Sequence, residues 1–230
     1  MRHGGYNEEF HSTNLGAKTE ALELFIAGSG FRNHIETSAK TIVLDVGLGL
    51  GYNALATIHA WLETPGAGGL RIISLEQHNE LVEGLQRGGG AWIADDVGFF
   101  KVAQNLERQD DGLFRGLISH PDGSSCEWLV VVGDALASDW QRLAQGMSFI
   151  WQDAFSPQKN PEMWTSDWFT KVGESCQRDA ILMTYSVARP VRESLQTAGF
   201  QVEKIPAMGA KRQWLRATWQ GLAGEMQDAE

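Results

Sequence analysis

Continuous apolar runs alternate with amphipathic segments along the chain, and the alternation predicts strands and helices in turn. Thr19 to Ala27 gathers Ala21, Leu22, Leu24, Phe25 and Ile26 into an apolar helical patch that Gly28 and Gly30 close. Thr41-Ile42-Val43-Leu44-Asp45-Val46 has the unbroken apolar character of a strand covered on both faces of a parallel sheet. After Gly47 to Asn53, the residues Ala54, Leu55, Ile58 and Leu62 recur at helical spacing. Leu70 to Leu75 reads as a second strand ending at Glu76, and Glu80 to Phe100 as helix broken by Gly88-Gly89-Gly90. Leu113 to Ile118 is a candidate short hairpin strand in a polar, turn-rich stretch. Trp128 to Val132, Met147 to Gln152 and Ala180 to Tyr185 supply a third, fourth and fifth strand, with helices expected over Ser166 to Cys176 and Val187 to Ala198. Phe200 to Ile205 and Gln213 to Trp219 then form an expected antiparallel pair. Strands alternating with helices predict an α/β fold with a doubly wound, mostly parallel sheet ending in an antiparallel hairpin. One domain is expected over 1–220, including an N-terminal extension (1–40), followed by a polar tail at 221–230.

The chemistry sits where these strands end. Gly47-Leu48-Gly49-Leu50-Gly51 links strand to helix; glycines let backbone approach a ligand closely, and the helix N-terminus offers unpaired N–H groups. Glu76, at the tip of the second strand, is placed to accept from a ribose diol; a solvated strand-end charge is the plainer alternative. It lies 29 residues past Gly47, beyond the spacing of about 20 common in dinucleotide sites. Gly133-Asp134 follows the third strand, where Asp134 either accepts from the exocyclic amine of a base or caps what comes next. Asp153 follows the fourth strand and opens a loop stiffened by Pro157 and Pro161, a ligand-binding position in open α/β sheets. A rigid strand-to-helix turn with a solvated Asp153 fits that stretch equally well.

Composition narrows the setting. Net charge is −10, from 19 basic and 29 acidic residues, which argues against general polyanion binding. The charge is uneven: residues 150–220 hold 9 basic and 7 acidic residues, against 10 and 19 in residues 1–149. A nucleic-acid face is therefore permitted in the second region. Cys126 and Cys176 lack metal or redox spacing and the six histidines are scattered, so no metal is expected and a reducing cytoplasm is the simplest location. The N-terminus lacks the apolar core of a signal peptide, and no membrane span is expected.

A glycine bend after the first strand, an acid after the second, Gly-Asp-Ala after the third and an acid after the fourth resemble a Rossmann-like S-adenosylmethionine methyltransferase. The later segments are more specific. Asp153-Ala154-Phe155-Ser156-Pro157 with Lys159-Asn160-Pro161-Glu162-Met163-Trp164 resembles the D-G-F-x-P-x-K-N-P-x-M-W signature of the MnmC-type tRNA methyltransferases. The resemblance extends to Phe10-His11-Ser12, Gly16 to Glu20, Asp45 to Gly49 with Asn53, Thr184-Tyr185-Ser186, Val191-Arg192, Leu195, Ala198 to Phe200, and Gly209 to Arg212. It departs at Asp45 (usually Glu), Leu50 (often Thr), Tyr52 (often Leu) and Ala154 (usually Gly). The family methylates the aminomethyl substituent of a wobble uridine, and its fused members carry a further flavin oxidase half. The chain ends at Glu230, so the resemblance implies the methyltransferase half alone.

What the resemblance implies is a specific site. S-adenosylmethionine is the expected cofactor, held by Asp45, Gly47, Gly49, Gly51, Asn53, Glu76, Gly133 and Asp134. Asp153 is expected to hold and help deprotonate the incoming amine, with Phe155 and Pro157 walling the pocket from water. Tyr6 or Trp164 is a candidate platform for a flipped-out base. Lys159, Asn160, Tyr185, Lys211 and Arg212 are expected to touch tRNA, and Arg189 and Arg192 are further phosphate candidates. A functional link to the enzymes that install the aminomethyl group follows. The alternatives are a methyltransferase for a small-molecule or protein amine, and a non-catalytic nucleotide-binding domain.

Overall fold

The computed structural model describes residues 16–88, 97–207 and 213–221, with the backbone of 2–3 and 8–9. In chain order, β1 (Arg2–His3) and β2 (Glu8–Glu9) form a short antiparallel ladder that no sequence signal marks. Next come α1 (Ala17–Glu20), which continues as a π-helical stretch over Ala21–Ala27, and α2 (Phe31–Thr37). β3 (Lys40–Val46), α3 (Tyr52–Leu62), β4 (Gly69–Glu76) and α4 (Asn79–Gln86) follow as strand and helix in turn. α5 (Val97–Phe100), β5 (Glu107–Arg108), β6 (Phe114–Ser119) and β7 (Ser125–Val132) lead to β8 (Met147–Gln152). The chain closes with α6 (Ser166–Gly173), β9 (Cys176–Thr184), α7 (Arg189–Thr197), β10 (Phe200–Pro206) and β11 (Gln213–Trp219).

Nine strands make one sheet in the order β10-β11-β9-β8-β3-β4-β7-β6-β5. The five central strands are parallel, and both edges are antiparallel. Alternate residues of β3 serve opposite faces. Val43 joins Phe25, Phe31, Trp61, Trp128 and Trp151 under the N-terminal helices, while Ile42 and Leu44 join Trp140, Trp168, Phe169 and Leu195 under α6 and α7. Burial on both faces is why the strand reads as an unbroken apolar run. Each large side chain buried this way contributes roughly 2–3 kcal/mol.

Most boundaries shift by a residue or two from the sequence expectation, and three shift further. The helix expected over Ser166 to Cys176 stops at Gly173, where Trp219 packs so closely that a Cβ would overlap its ring, and Cys176 already belongs to β9. That strand starts before Ala180 because the polar run Gln177 to Asp179 is carried as an irregular, exposed lead-in. There Asp179 adopts φ 61°, and the β8 pairing shifts register between Met147 and Phe149. β7 begins at Ser125, not Trp128, since Ser125 and Glu127, flanking the buried Cys126, complete the ladder with β6. Among the described residues no helix is long and apolar enough to cross a membrane.

The chain passes from β3 to β4 on one side of the sheet and later returns to β8 on the other side of β3. Strand order therefore reverses between β3 and β8, and open α/β sheets bind ligands in the crevice such a reversal leaves. Gly47 and Asp153 flank that crevice.

Candidate active site

At the tip of β3 the backbone folds back sharply. The N–H groups of Gly47 and Leu48 both donate to Leu75 O (3.1 and 3.0 Å), and Gly51 N–H donates to Leu48 O (2.8 Å). Gly47 and Gly51, each at φ 84°, take left-handed conformations that only glycine holds without strain. Gly51 opens α3, and no side chain among the described residues caps that first turn, which leaves a donor-bearing helix start at the crevice.

Space as well as φ requires glycine at 47. A Cβ there would sit 2.8 Å from Asp153 O and 3.3 Å from Ala154 Cα, so the loop after β8 lies directly on the glycine bend. Asp153 N–H donates to Val46 O (3.0 Å), and Asp153 Oδ2 accepts from Asn53 Nδ2 (2.8 Å). Residues 100 positions apart thus meet across the crevice.

The loop itself is tied at both ends. Trp164 Nε1 donates to Phe155 O (2.8 Å), Tyr185 Oη donates to Ala154 O (3.0 Å), and the two rings meet edge to face at 5.8 Å. Lys159 and Asn160 N–H groups close a turn on Ser156 O, and Asn160 Nδ2 donates to Glu162 Oε1 (2.6 Å). Below, Gln152 takes Trp168 Nε1 on its oxygen and donates to Met163 O, which fixes the strand end under the loop. Asp153, Phe155 and Pro157 are half-buried and Lys159 is exposed. Trp164 is only 4% exposed, which corrects its expected role as a platform for a base: the indole is a strut inside the loop. Tyr6, Lys211 and Arg212 lie outside the described residues.

Two acids stand beside the glycine bend. Glu76 is buried at the tip of β4, its Oε2 accepting from Gly49 N–H and its Oε1 from His78 N–H, both at 2.8 Å. Burial pushes its carboxyl up, and those backbone donors pull it partly back. Each oxygen keeps acceptor capacity for a further donor. Asp45 is fully buried inside β3, with Ser74 Oγ donating to its Oδ2 (2.7 Å) and Trp128 Nε1 donating to Ser74 Oγ (3.0 Å). Its carboxyl is pushed up to about 7, chiefly by burial and further by the Glu76 charge, against the stabilising pull of Ser74 and Asn53. Asp45 Oδ1 is buried with no hydrogen-bond partner. Nearby, Gly133 bends at φ 134° with open space where a side chain would stand. Asp134 is exposed, and its Oδ1 accepts from Leu136 N–H (2.9 Å), closing a turn instead of capping a helix.

A cavity of about 290 Å³ lined by Lys18, Leu22, Arg32, His59, Glu63 and Phe99 belongs elsewhere. His59 and Glu63 lie roughly 12–18 Å along α3 from Gly51, counted at 1.5 Å per residue. Among the described residues, no group of His, Cys, Asp and Glu could hold a metal ion.

Comparison with known proteins accords with this geometry. Residues 114–220 match the family described as S-adenosyl-L-methionine-dependent methyltransferase. The tRNA 5-methylaminomethyl-2-thiouridine biosynthesis bifunctional protein MnmC of Azoarcus sp. (strain BH72) is 34% identical over 94% of this chain. Its counterpart in Acidovorax sp. (strain JS42) is 33% identical over 96%. The crystal structure of MNMC2 from Aquifex aeolicus aligns with 97% of this chain and 69% of its own at a TM-score of 0.75 and 25% identity.

The chain belongs to the MnmC-type methyltransferases.

It spans about a third of the length of the curated relatives it matches, 33% of the first and 34% of the second. The strand-end groups of this MnmC-type chain fit S-adenosylmethionine on their own chemistry. Glu76 suits a diol, the opening over Gly133 suits a flat ring, and the buried oxygen of Asp45 has the sign to favour a cationic ligand. Sequence reasoning missed how closely these groups are tied to one another. Neither the Gly49–Glu76 bond nor the Asn53–Asp153 bond leaves a local signal, since each depends on strands that meet only after folding.

Proposed function

We propose that this protein methylates the aminomethyl nitrogen of a modified wobble uridine in cytoplasmic tRNA. The observation that carries the reading is the seating of the Asp153 loop on the Gly47 bend, which brings an amine-binding carboxylate to the cofactor crevice. The relatives' names, which specify tRNA 5-methylaminomethyl-2-thiouridine biosynthesis, support the choice of substrate.

S-adenosylmethionine supplies a methyl group on a positively charged sulfur, open to displacement by a neutral amine. An alkyl amine has a pKa of roughly 10.4 in water and arrives as an ammonium ion. Asp153 attracts that cation into the crevice, orients it and helps pass its proton on to bulk water; the freed nitrogen lone pair would then take the methyl group as the carbon–sulfur bond breaks and S-adenosylhomocysteine leaves. Orientation of this kind supplies a large share of the acceleration in such displacements. Phe155 and Pro157 exclude water on the loop side. Glu76, Asp134, Gly133 and the bend at Gly47, Gly49 and Gly51 hold the nucleoside portion of the cofactor. Lys159 on the loop and Arg189 and Arg192 in the first turns of α7 would meet phosphates of an incoming tRNA, and the family resemblance adds Asn160, Tyr185, Tyr6, Lys211 and Arg212 as substrate contacts, Tyr6, Lys211 and Arg212 lying outside the described residues. The enzymes that install the aminomethyl group are the upstream partners this substrate requires.

The test is mass spectrometry of wobble nucleosides after incubation with cofactor and tRNA carrying the unmethylated aminomethyluridine. The reading expects that nucleoside to gain one methyl group. No methylated nucleoside, with labelled methyl appearing instead in metabolite or protein amines, overturns it.

A further inference from the structure

Asn53 is only 2% exposed, and both its carbonyl and its side-chain amide make hydrogen bonds. It sits in the first turn of α3, where its carbonyl accepts from Thr57 Oγ1 (2.7 Å), which in turn accepts from Trp151 Nε1 (2.9 Å). The backbone of Asn53 is therefore pinned to the sheet through β8, the strand that delivers Asp153. Its side-chain Nδ2 donates to Asp153 Oδ2 at 2.8 Å. On the cofactor side the same amide favours the ionised form of Asp45 without closing a hydrogen bond to Oδ1. One neutral side chain thus stands between the acid of the cofactor seat and the acid of the amine seat.

The backbone of Asp153 is fixed by Val46 and by contact with Gly47, but neither sets the rotation of its carboxylate. The hydrogen bond from the pinned amide acts on that rotation directly. A charge-assisted donor of this kind is short and directional, and an amide neither gives up nor takes a proton at neutral pH. We propose that Asn53 is a positioning residue acting through Asp153: its amide turns the carboxylate toward the incoming amine and is not a contact to the cofactor. This deepens the methyl-transfer reading and rests on it.

The experiment is a double-mutant cycle on the full chain with Asn53→Ala, Asp153→Asn and the pair. It is read by single-turnover methyl transfer to the tRNA substrate, by calorimetric binding of S-adenosylhomocysteine, and by the 13Cγ resonance of Asp153 in the free protein. In the Asp153 background, Asn53→Ala is expected to slow transfer about 10- to 100-fold, the loss of one hydrogen bond to a charged group. Binding of S-adenosylhomocysteine stays within about 3-fold, and in the Asp153→Asn background the same change costs less than about 3-fold. The Asp153 resonance moves on Asn53→Ala with no cofactor or tRNA present. Equal losses in both backgrounds, a loss confined to cofactor binding, or an unmoved resonance overturns the proposal. A wild type inactive on tRNA contradicts the substrate reading instead, and the resonance still decides the Asn53–Asp153 link. Should Asn53→Ala unfold, Asn53→Ser, which keeps a buried polar group too short to reach Asp153, is measured in the same three ways.

Discussion

Asp45→Asn isolates the energetic cost of a buried acid beside the glycine bend. Asp45 is fully buried, and its carboxyl is raised from 3.8 to about 7, mainly by loss of water. The native carboxyl therefore keeps its proton to higher pH than the unfolded one. Between about pH 4 and 7 the native state binds more protons, so stability falls as pH rises through that window. Raised from 3.8 to about 7, at about 1.4 kcal/mol per pH unit, the carboxyl places roughly 4 kcal/mol against folding at pH 8 and roughly 1–2 kcal/mol at pH 5. Asparagine is nearly isosteric, keeps an oxygen for the Ser74 hydroxyl, and carries no charge to desolvate. Asp45→Asn should raise stability by those amounts, a gain in melting temperature of about 8–16 °C at pH 8 and about 3–6 °C at pH 5. Urea denaturation of both proteins at the two pH values measures it, and calorimetry should show weaker cofactor binding by the stabilised variant. A gain independent of pH, or a net loss of stability at pH 8, would refute the argument that burial of this charge is what Asp45 imposes on the fold.

Other substitutions test neighbouring links. Gly47→Ala places a Cβ against Asp153 O at φ 84°, and should cost about 2 kcal/mol or more in thermal denaturation while slowing methyl transfer about 100-fold through the displaced loop. Glu76→Gln turns one acceptor toward an N–H of Gly49 or His78 into a donor, and calorimetry should show cofactor affinity down at least about 10-fold. Trp164→Phe keeps the ring beside Tyr185 but strands Phe155 O, at a cost of about 1–2 kcal/mol in urea denaturation, with turnover falling more than cofactor affinity.

The parallel heart of the sheet was legible because burial on both faces writes an unbroken apolar run: β8 ends at Gln152 as its run implied, and β3 and β4 differ only in where they begin. The outer pieces were less so. β7 and β9 start ahead of their apolar runs: Ser125 and Glu127 flank a single buried Cys126 in the ladder with β6, and the exposed Gln177 to Asp179 follow the paired Cys176. α2 went unmarked because seven residues with two buried apolar side chains, Phe31 and Ile35, leave too short a pattern to stand out. At the site, residue type and strand-end position brought out Asp153, Glu76 and the glycine bend. Their pairings were hidden: Glu76 is held by backbone N–H groups, which carry no side-chain signature, and Asn53 reaches Asp153 across 100 residues. Trp164 misled because an aromatic beside a candidate site reads the same whether it faces a base or holds the loop from inside.

The central claim is that the carboxylate seated on the glycine bend serves the amine. The most direct measurement is single-turnover transfer of labelled methyl to aminomethyluridine tRNA by wild type and Asp153→Asn, with cofactor affinity followed in parallel. The account predicts a loss of about 100-fold or more in the variant, with the fold and cofactor affinity preserved. Equal turnover by the two proteins would contradict it.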